Sequence, residues 1–249
     1  MKRVKIGKNF IGYQHEGKTE NSLGYNTYVF INDKEALVLD TAYSEHLTHV
    51  IEDLKDEGIK IKKVFPSHYH PDHFEGLRLL EGVDIIGTQY SLDTLKEFEL
   101  SEDEEKIFMP TTLIKEGEEI RFGDYTFRII MVQGHSDCSM FIVINNRYLH
   151  IGDTYMTLNT GEHSLPYVAW AGVEKHLEAL KKLFMFKDHT ILLSHGSLCD
   201  SVENMISGIQ DRIEYFESLL KSNNKVSVDE ALYKCQNTFI NKSWREYVK

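Results

Sequence analysis

The residues best equipped for chemistry lie in one short run, Ser67-His68-Tyr69-His70-Pro71-Asp72-His73. Imidazole and carboxylate are the usual nitrogen and oxygen ligands of zinc and related ions. His68 and His70 leave the end of an expected strand two residues apart, so an extended backbone with a local bend can aim both at one ion. Asp72 and His73 sit where the chain turns into a helix near Pro71, and proline is favoured in a first helical turn. That turn redirects them to a second site nearby.

A surface histidine cluster would have the same local composition but no distant partners, and partners are present. Gly134-His135-Ser136-Asp137 follows the apolar run TFRIIMVQ, Gly152-Asp153 follows RYLHI, and Ser194-His195-Gly196 follows TILLS. Each places a ligand-type side chain in the loop just after a strand, where a rigid scaffold presents chemistry. Each is weak alone; their combination with the histidine run carries the weight.

These loops need a scaffold, and the apolar pattern outlines one. Gly24–Ile31 and Glu35–Asp40 read as strands around an Asn32-Asp33 turn. Ser44 can cap a helix to about Lys55, with Leu47, Val50, Ile51 and Leu54 on one face. Ile61–Pro66 returns as a strand, and a short helix follows with Phe74, Leu77 and Leu80 on its apolar face. Asp84–Gly87 is a brief strand, Leu92–Phe98 lies in a helix, and Ser101 to Glu104 has capping-box spacing. Strands dominate from Glu119 to about Ile151, with turns at Gly123-Asp124 and Asn145-Asn146. Val173–Phe184 reads as an amphipathic helix, Thr190–Ser194 as a buried strand, the stretch from Val202 as one long helix, and a last helix follows Ser227. This order suggests two mixed sheets packed together with helices outside.

Composition narrows the function. Lysine plus arginine number 28 and aspartate plus glutamate 39, a net charge of −11. So acidic a chain disfavours nucleic acid as a partner. Three cysteines, Cys138, Cys199 and Cys235, have no paired spacing and point to reduced thiols. The start MKRVKIGKNFIGYQHEG lacks the apolar stretch of a signal peptide, and no run is long enough to span a membrane. The expected setting is cytoplasmic, with no membrane partner.

From about Asn26 to His195 the chain resembles the metallo-β-lactamase superfamily. His68, His70, Asp72 and His73 match its His-x-His-x-Asp-His motif in full, and His135, Asp153 and His195 match the later motifs. The resemblance implies an α+β fold, a four-layer αββα sandwich of two mixed β-sheets. Residues 1–200 would form the catalytic domain, and a C-terminal helical extension, residues 201–249, would pack on it. It also implies two divalent metal ions, zinc first with iron or manganese compatible. His68, His70 and His135 would hold one, Asp72, His73 and His195 the other, and Asp153 would bridge them. Asp40, in LVLDTAY, matches the family's early aspartate and would orient the histidine loop. One departure is local: Ser136-Asp137-Cys138 stands where the family often has a threonine-proline-glycine run.

Two ions ~3.5–4 Å apart can share a water and lower its pKa from about 15.7 toward ~7. The expected reaction is attack of that bridging hydroxide on a small thioester, lactone or ester-like substrate. Asp72 would serve as the catalytic residue by accepting a hydrogen bond from the nucleophile and relaying a proton. Tyr155, Met156, Tyr167 and Trp170, in the long stretch after Asp153, are candidates to line an apolar substrate pocket, and His163, Tyr43 and Tyr69 are further substrate-binding candidates. Asp153 and the lack of an export signal weigh against antibiotic cleavage. Other readings are a persulfide dioxygenase-like iron enzyme, a phosphodiesterase or nuclease of the same fold, and a metal-binding regulator without turnover. The glyoxalase II and lactonase branches fit best, and a homodimer is compatible with the helical tail.

Overall fold

The computed structural model describes residues 1–248. Two hairpins open the chain: β1 (Lys2–Gly7), β2 (Phe10–His15), β3 (Tyr25–Asn32) and β4 (Glu35–Leu39) pair antiparallel in sequence order. Helix α1 (Ser44–Asp56) then carries the chain across the sheet, so β5 (Lys60–Phe65) returns parallel to β4. After the one-turn α2 (Pro71–Phe74) come β6 (Asp84–Gly87), α3 (Gln89–Leu95), α4 (Glu102–Phe108) and β7 (Thr112–Leu113), completing a mixed seven-stranded sheet.

The second sheet is built from β8 (Glu119–Phe122), β9 (Tyr125–Met131), β10 (Met140–Ile144) and β11 (Tyr148–His150). A short β12 (His163–Ser164) and α5 (Val173–Lys182) intervene before β13 (Thr190–Leu192) joins β11 in parallel. The chain ends with α6 (Val202–Lys221), α7 (Val228–Ala231) and β14 (Phe239–Ile240), the last pairing parallel with β12.

Three cores define the layers. Phe10, Phe30, Phe65, Phe127 and Ile142 fill the space between the sheets. Leu47, Val50 and Leu54 of α1 pack with Phe74 and Phe108 on the outer face of the first sheet. Leu177 and Leu180 of α5 meet Ile209, Phe216 and Leu219 of α6 on the outer face of the second. The result is a four-layer αββα sandwich. No helix among the described residues is long and apolar enough to cross a membrane.

Several boundaries differ from the sequence expectation for physical reasons. Ser44 is not the cap of α1: Tyr43 occupies that position, and the Glu75 carboxylate accepts hydrogen bonds from the Ser44 N–H (2.6 Å) and hydroxyl (2.8 Å). Helix α3 starts earlier because Thr88 and Ser91 form a capping box, and it stops at Leu95. The capping box at Ser101 and Glu104 is present. Helix α5 ends at Lys182 and tightens into a 3-10 turn over Leu183–Phe186. The helix after Ser227 is a single turn.

Candidate metal centre

The candidate ligands converge because their loops all leave the same end of the two sheets. Asp40 follows β4, the histidine run follows β5, His135 follows β9, Asp153 follows β11 and His195 follows β13. The loop backbones are bent to reach inward. Asp40 holds φ at 52°, a left-handed conformation uncommon for a side chain of its kind and typical of over-determined functional loops. Gly134 has φ +138°, and a Cβ there would lie 2.4 Å from the His176 backbone nitrogen, so only glycine lets the His135 loop sit this close to α5.

Two groups of ligand atoms result. In the first, His68 Nε2 and His135 Nε2 lie 3.1 Å and 2.8 Å from His70 Nδ1. Zinc–nitrogen bonds of ~2.0–2.1 Å in tetrahedral geometry place ligand nitrogens about 3.3 Å apart, so this triangle needs little adjustment to enclose an ion. In the second, the ligand atoms of Asp72, His73, Asp153 and His195 lie within 4.8 Å of one another. Asp153 faces both groups. Its Oδ2 is 3.3 Å from His135 Nε2, while its Oδ1 is 3.4 Å from His73 Nε2 and 3.2 Å from His195 Nε2.

The donor chemistry fits divalent cations. His73 Nε2, His195 Nε2 and Asp153 Oδ1 are buried without a hydrogen-bond partner, a costly state unless another group satisfies them. Burial, with neighbouring imidazoles, holds His70 down to about 3 and His68 well below the usual range, so both rings are neutral at pH 7, the form able to bind a metal ion. Burial alone would also lower His195 and His73. The carboxylates of Asp153 and Asp72 instead take His195 up to about 10, and Asp153, Asp40 and Asp72 raise His73 well above its ordinary value. Protons on these two rings are the local compensation for carboxylate charge that cations would otherwise meet. Against the effect of burial, His73 and His195 hold Asp72 down to about 2.

A supporting layer fixes which nitrogen points inward. His135 Nδ1 donates to the Tyr167 carbonyl at 2.8 Å, and His195 Nδ1 to the Gly24 carbonyl at 2.7 Å. Asp40 accepts from the Ser67 N–H at 2.7 Å, His73 Nδ1 at 2.8 Å and the Ser194 hydroxyl at 3.0 Å. Such contacts set ring orientation and ligand basicity.

Above the clusters opens a cavity of about 690 Å³, whose wall includes His70, Asp72, His135, Asp153 and Tyr167. Of the expected substrate contacts, Tyr167 and Met156 line it. Tyr69 is fully buried and donates to the Phe108 carbonyl. Tyr155 and His163 face Arg212 instead. This buried guanidinium lies 4.1 Å from the centre of the Tyr155 ring and donates to the Met156 (2.7 Å) and Ser164 (3.0 Å) carbonyls. Trp170 packs on the core beneath α5 and α6. Tyr43 stacks edge-on against Tyr25, which does line the cavity. The sequence reading missed Leu23, Tyr25, Phe98, Asn241 and Trp244 in the wall. Asn241 and Trp244 arrive through the two-residue β12–β14 pairing, which has no sequence periodicity to betray it.

Comparison with known proteins agrees with this arrangement. A hydroxyacylglutathione hydrolase of Francisella tularensis subsp. tularensis (strain WY96-3418) is 25% identical over 142 residues, 57% of this chain and 51% of the relative. The chain thus aligns with about half the length of that relative. Among solved structures, metallo-beta-lactamase IND-7 superposes with a TM-score of 0.68 at 19% identity, covering 83% of this chain and 96% of its own. ETHE1 from Myxococcus xanthus does so with a TM-score of 0.57 at 14% identity, covering 94% of each. At these identities the structural likeness speaks for the fold. The family model of the metallo-beta-lactamase superfamily matches residues 22–195, a span holding Asp40 and all seven candidate ligands, and the chain belongs to that superfamily.

Proposed function

We propose that the chain is a binuclear metal-dependent hydrolase that cleaves a small thioester, lactone or other ester-like substrate. The observation that carries this reading is the Asp153 carboxylate, which turns one oxygen toward each group of ligand atoms. In this reading His68, His70 and His135 hold one ion, Asp72, His73 and His195 hold the other, and Asp153 is shared. Zinc is the first expectation, with iron or manganese compatible with the same donors. Such a pair supplies an acidified water and Lewis-acid stabilisation of a developing oxyanion.

The chain's own residues do the rest. Asp72 is the more exposed of the two carboxylates that line the cavity, so it is placed to accept a hydrogen bond from the attacking water and to relay a proton toward the leaving group. Neutral His68, His70 and His135 leave the carboxylates as the main counter-charge. The extension from residue 201 belongs, in our reading, to the same unit, since α6 shares its core with α5 and the segment after β14 reaches the cavity wall.

The resemblance to hydroxyacylglutathione hydrolases supports an acyl substrate, and the net charge of −11 weighs against a polyphosphate. The test is one metal-loaded preparation assayed on thioester and lactone panels, on single-stranded RNA and DNA, and for oxygen uptake with a persulfide. Metal-dependent acyl hydrolysis is expected. Cleavage of nucleic acid alone would favour a nuclease, and oxygen uptake alone a dioxygenase.

A further inference from the structure

The cavity wall supplied by the C-terminal segment carries information about substrate. Its aromatic side is a cluster: the Trp244 ring meets Tyr167 edge-on at 5.7 Å, and the Tyr247 ring lies 4.4 Å from that of Tyr167. Phe98, Tyr25 and Met156 extend the apolar lining. The cluster is anchored to the metal centre, because the Tyr167 carbonyl receives the His135 Nδ1 hydrogen bond. It is anchored to the tail through β12–β14 and through Asn241, whose amide donates to the Ser164 hydroxyl at 3.2 Å.

Tyrosines aside, the ionisable side chains that line the cavity are the carboxylates of Asp72 and Asp153 and the imidazoles of His70 and His135. No lysine or arginine lines the cavity among the described residues. The groove on one side offers Lys18, which is paired with Glu45 at 2.9 Å and accompanied by Glu16 and Glu20. The groove on the other side offers Lys175, which is 3.6 Å from Asp137 and accompanied by Glu97. Outside the metal centre, an anionic group entering along either groove would therefore meet one lysine already facing a carboxylate, and an excess of acidic side chains. An uncharged planar or alkyl group would instead bury its apolar surface against Trp244, Tyr167 and Phe98.

From this juxtaposition we infer that Trp244 is a specificity-determining residue, and that the chain takes esters, lactones or thioesters with no anionic group on either half, in preference to acyl conjugates of carboxylate-bearing thiols such as glutathione. This inference rests on the hydrolase reading for its chemistry, but the recognition it describes can be measured without turnover. The chain has two tryptophans, so Trp170→Phe leaves Trp244 as the sole indole reporter. The zinc-loaded variant is titrated with two non-hydrolysable amides, N-(2-hydroxyethyl)phenylacetamide and its 2-sulfoethyl counterpart, which differ in charge and carry no strong metal ligand. We expect saturable quenching by the neutral amide, with a Kd at least tenfold below that of the sulfonate. In the otherwise wild-type enzyme, Trp244→Ala should raise KM for a neutral phenylacetyl thioester about tenfold with kcat within twofold, and Trp244→Phe should restore most of the loss. Equal or tighter binding of the sulfonate would overturn the inference, as would an unchanged KM in Trp244→Ala. If neither ester nor thioester is cleaved while the neutral amide still binds with this preference, the hydrolase reading falls and the recognition site stands.

Discussion

His73 Nδ1 donates to Asp40 Oδ2 at 2.8 Å, and both residues are buried. That bond fixes the ring so that Nε2 faces Asp153, and the same carboxylate gathers the Ser67 N–H and the Ser194 hydroxyl from two other loops. Asp40 is therefore the tie between the histidine run and the His195 loop. Asp40→Ala should weaken metal affinity by roughly 10–100-fold. It should also lower apo-protein stability by about 1–3 kcal/mol, because buried donors lose their acceptor. Metal affinity by competition with a chelator, together with urea unfolding of the apo protein, checks both. Unchanged metal affinity would remove the orienting role.

The shared position of Asp153 separates two variants. Asp153→Ala should reduce occupancy of both positions, whereas His68→Ala should mainly empty the one it shares with His70 and His135. Metal content of each purified variant reads this directly, and full content in either would refute the ligand assignment.

Arg212 should matter for stability without touching the cavity. It is buried and donates to the carbonyls of Gly208, Met156 and Ser164. Arg212→Ala removes this donor from the Met156 and Ser164 carbonyls, while the Gly208 carbonyl keeps its place in the α6 backbone ladder, and should cost roughly 3 kcal/mol, lowering Tm by several degrees. A Tm within a degree of wild type would show that the loop after Asp153 does not depend on it.

The His15 ring is buried beside His46 and His49. Burial, with those neighbouring rings, pushes it down to about 3. The unfolded chain takes up this proton near pH ~6.5, and the folded chain refuses it until far lower pH. Stability from this residue is thus full above about 6.5 and declines as pH falls toward 3. His15→Phe should flatten the fall in unfolding free energy across that window by up to one proton's slope. An identical pH dependence in the variant would contradict the assignment.

What could be read from sequence divides along physical lines. The convergence of the histidine run, His135, Asp153, His195 and Asp40 was legible because few residue types suit a metal ion and each strand-end position is marked by an apolar run. The strands of the second sheet were legible by their β-branched and aromatic runs. The first part of the chain reads as strands joined by turns, but β1 and β2 could not be delimited, because Lys2–Gly7 is short, lies largely exposed at a sheet edge and has no continuous apolar run. The cap of α1 escaped because its acceptor, Glu75, is 31 residues away. The cavity wall was least legible: aromatic side chains after Asp153 look alike in sequence, and long-range pairing alone brings Trp244 to Tyr167 while Trp170 goes to the core.

The central claim is that two metal positions act together. Chelator-treated protein titrated with zinc, with bound metal counted by elemental analysis and hydrolysis of a neutral thioester followed in the same samples, tests it most directly. Saturation is expected at two zinc ions per chain, with activity rising as the second binds and Asp72→Ala holding fewer. Saturation at one ion per chain, with Asp72→Ala unchanged in both content and rate, would contradict it.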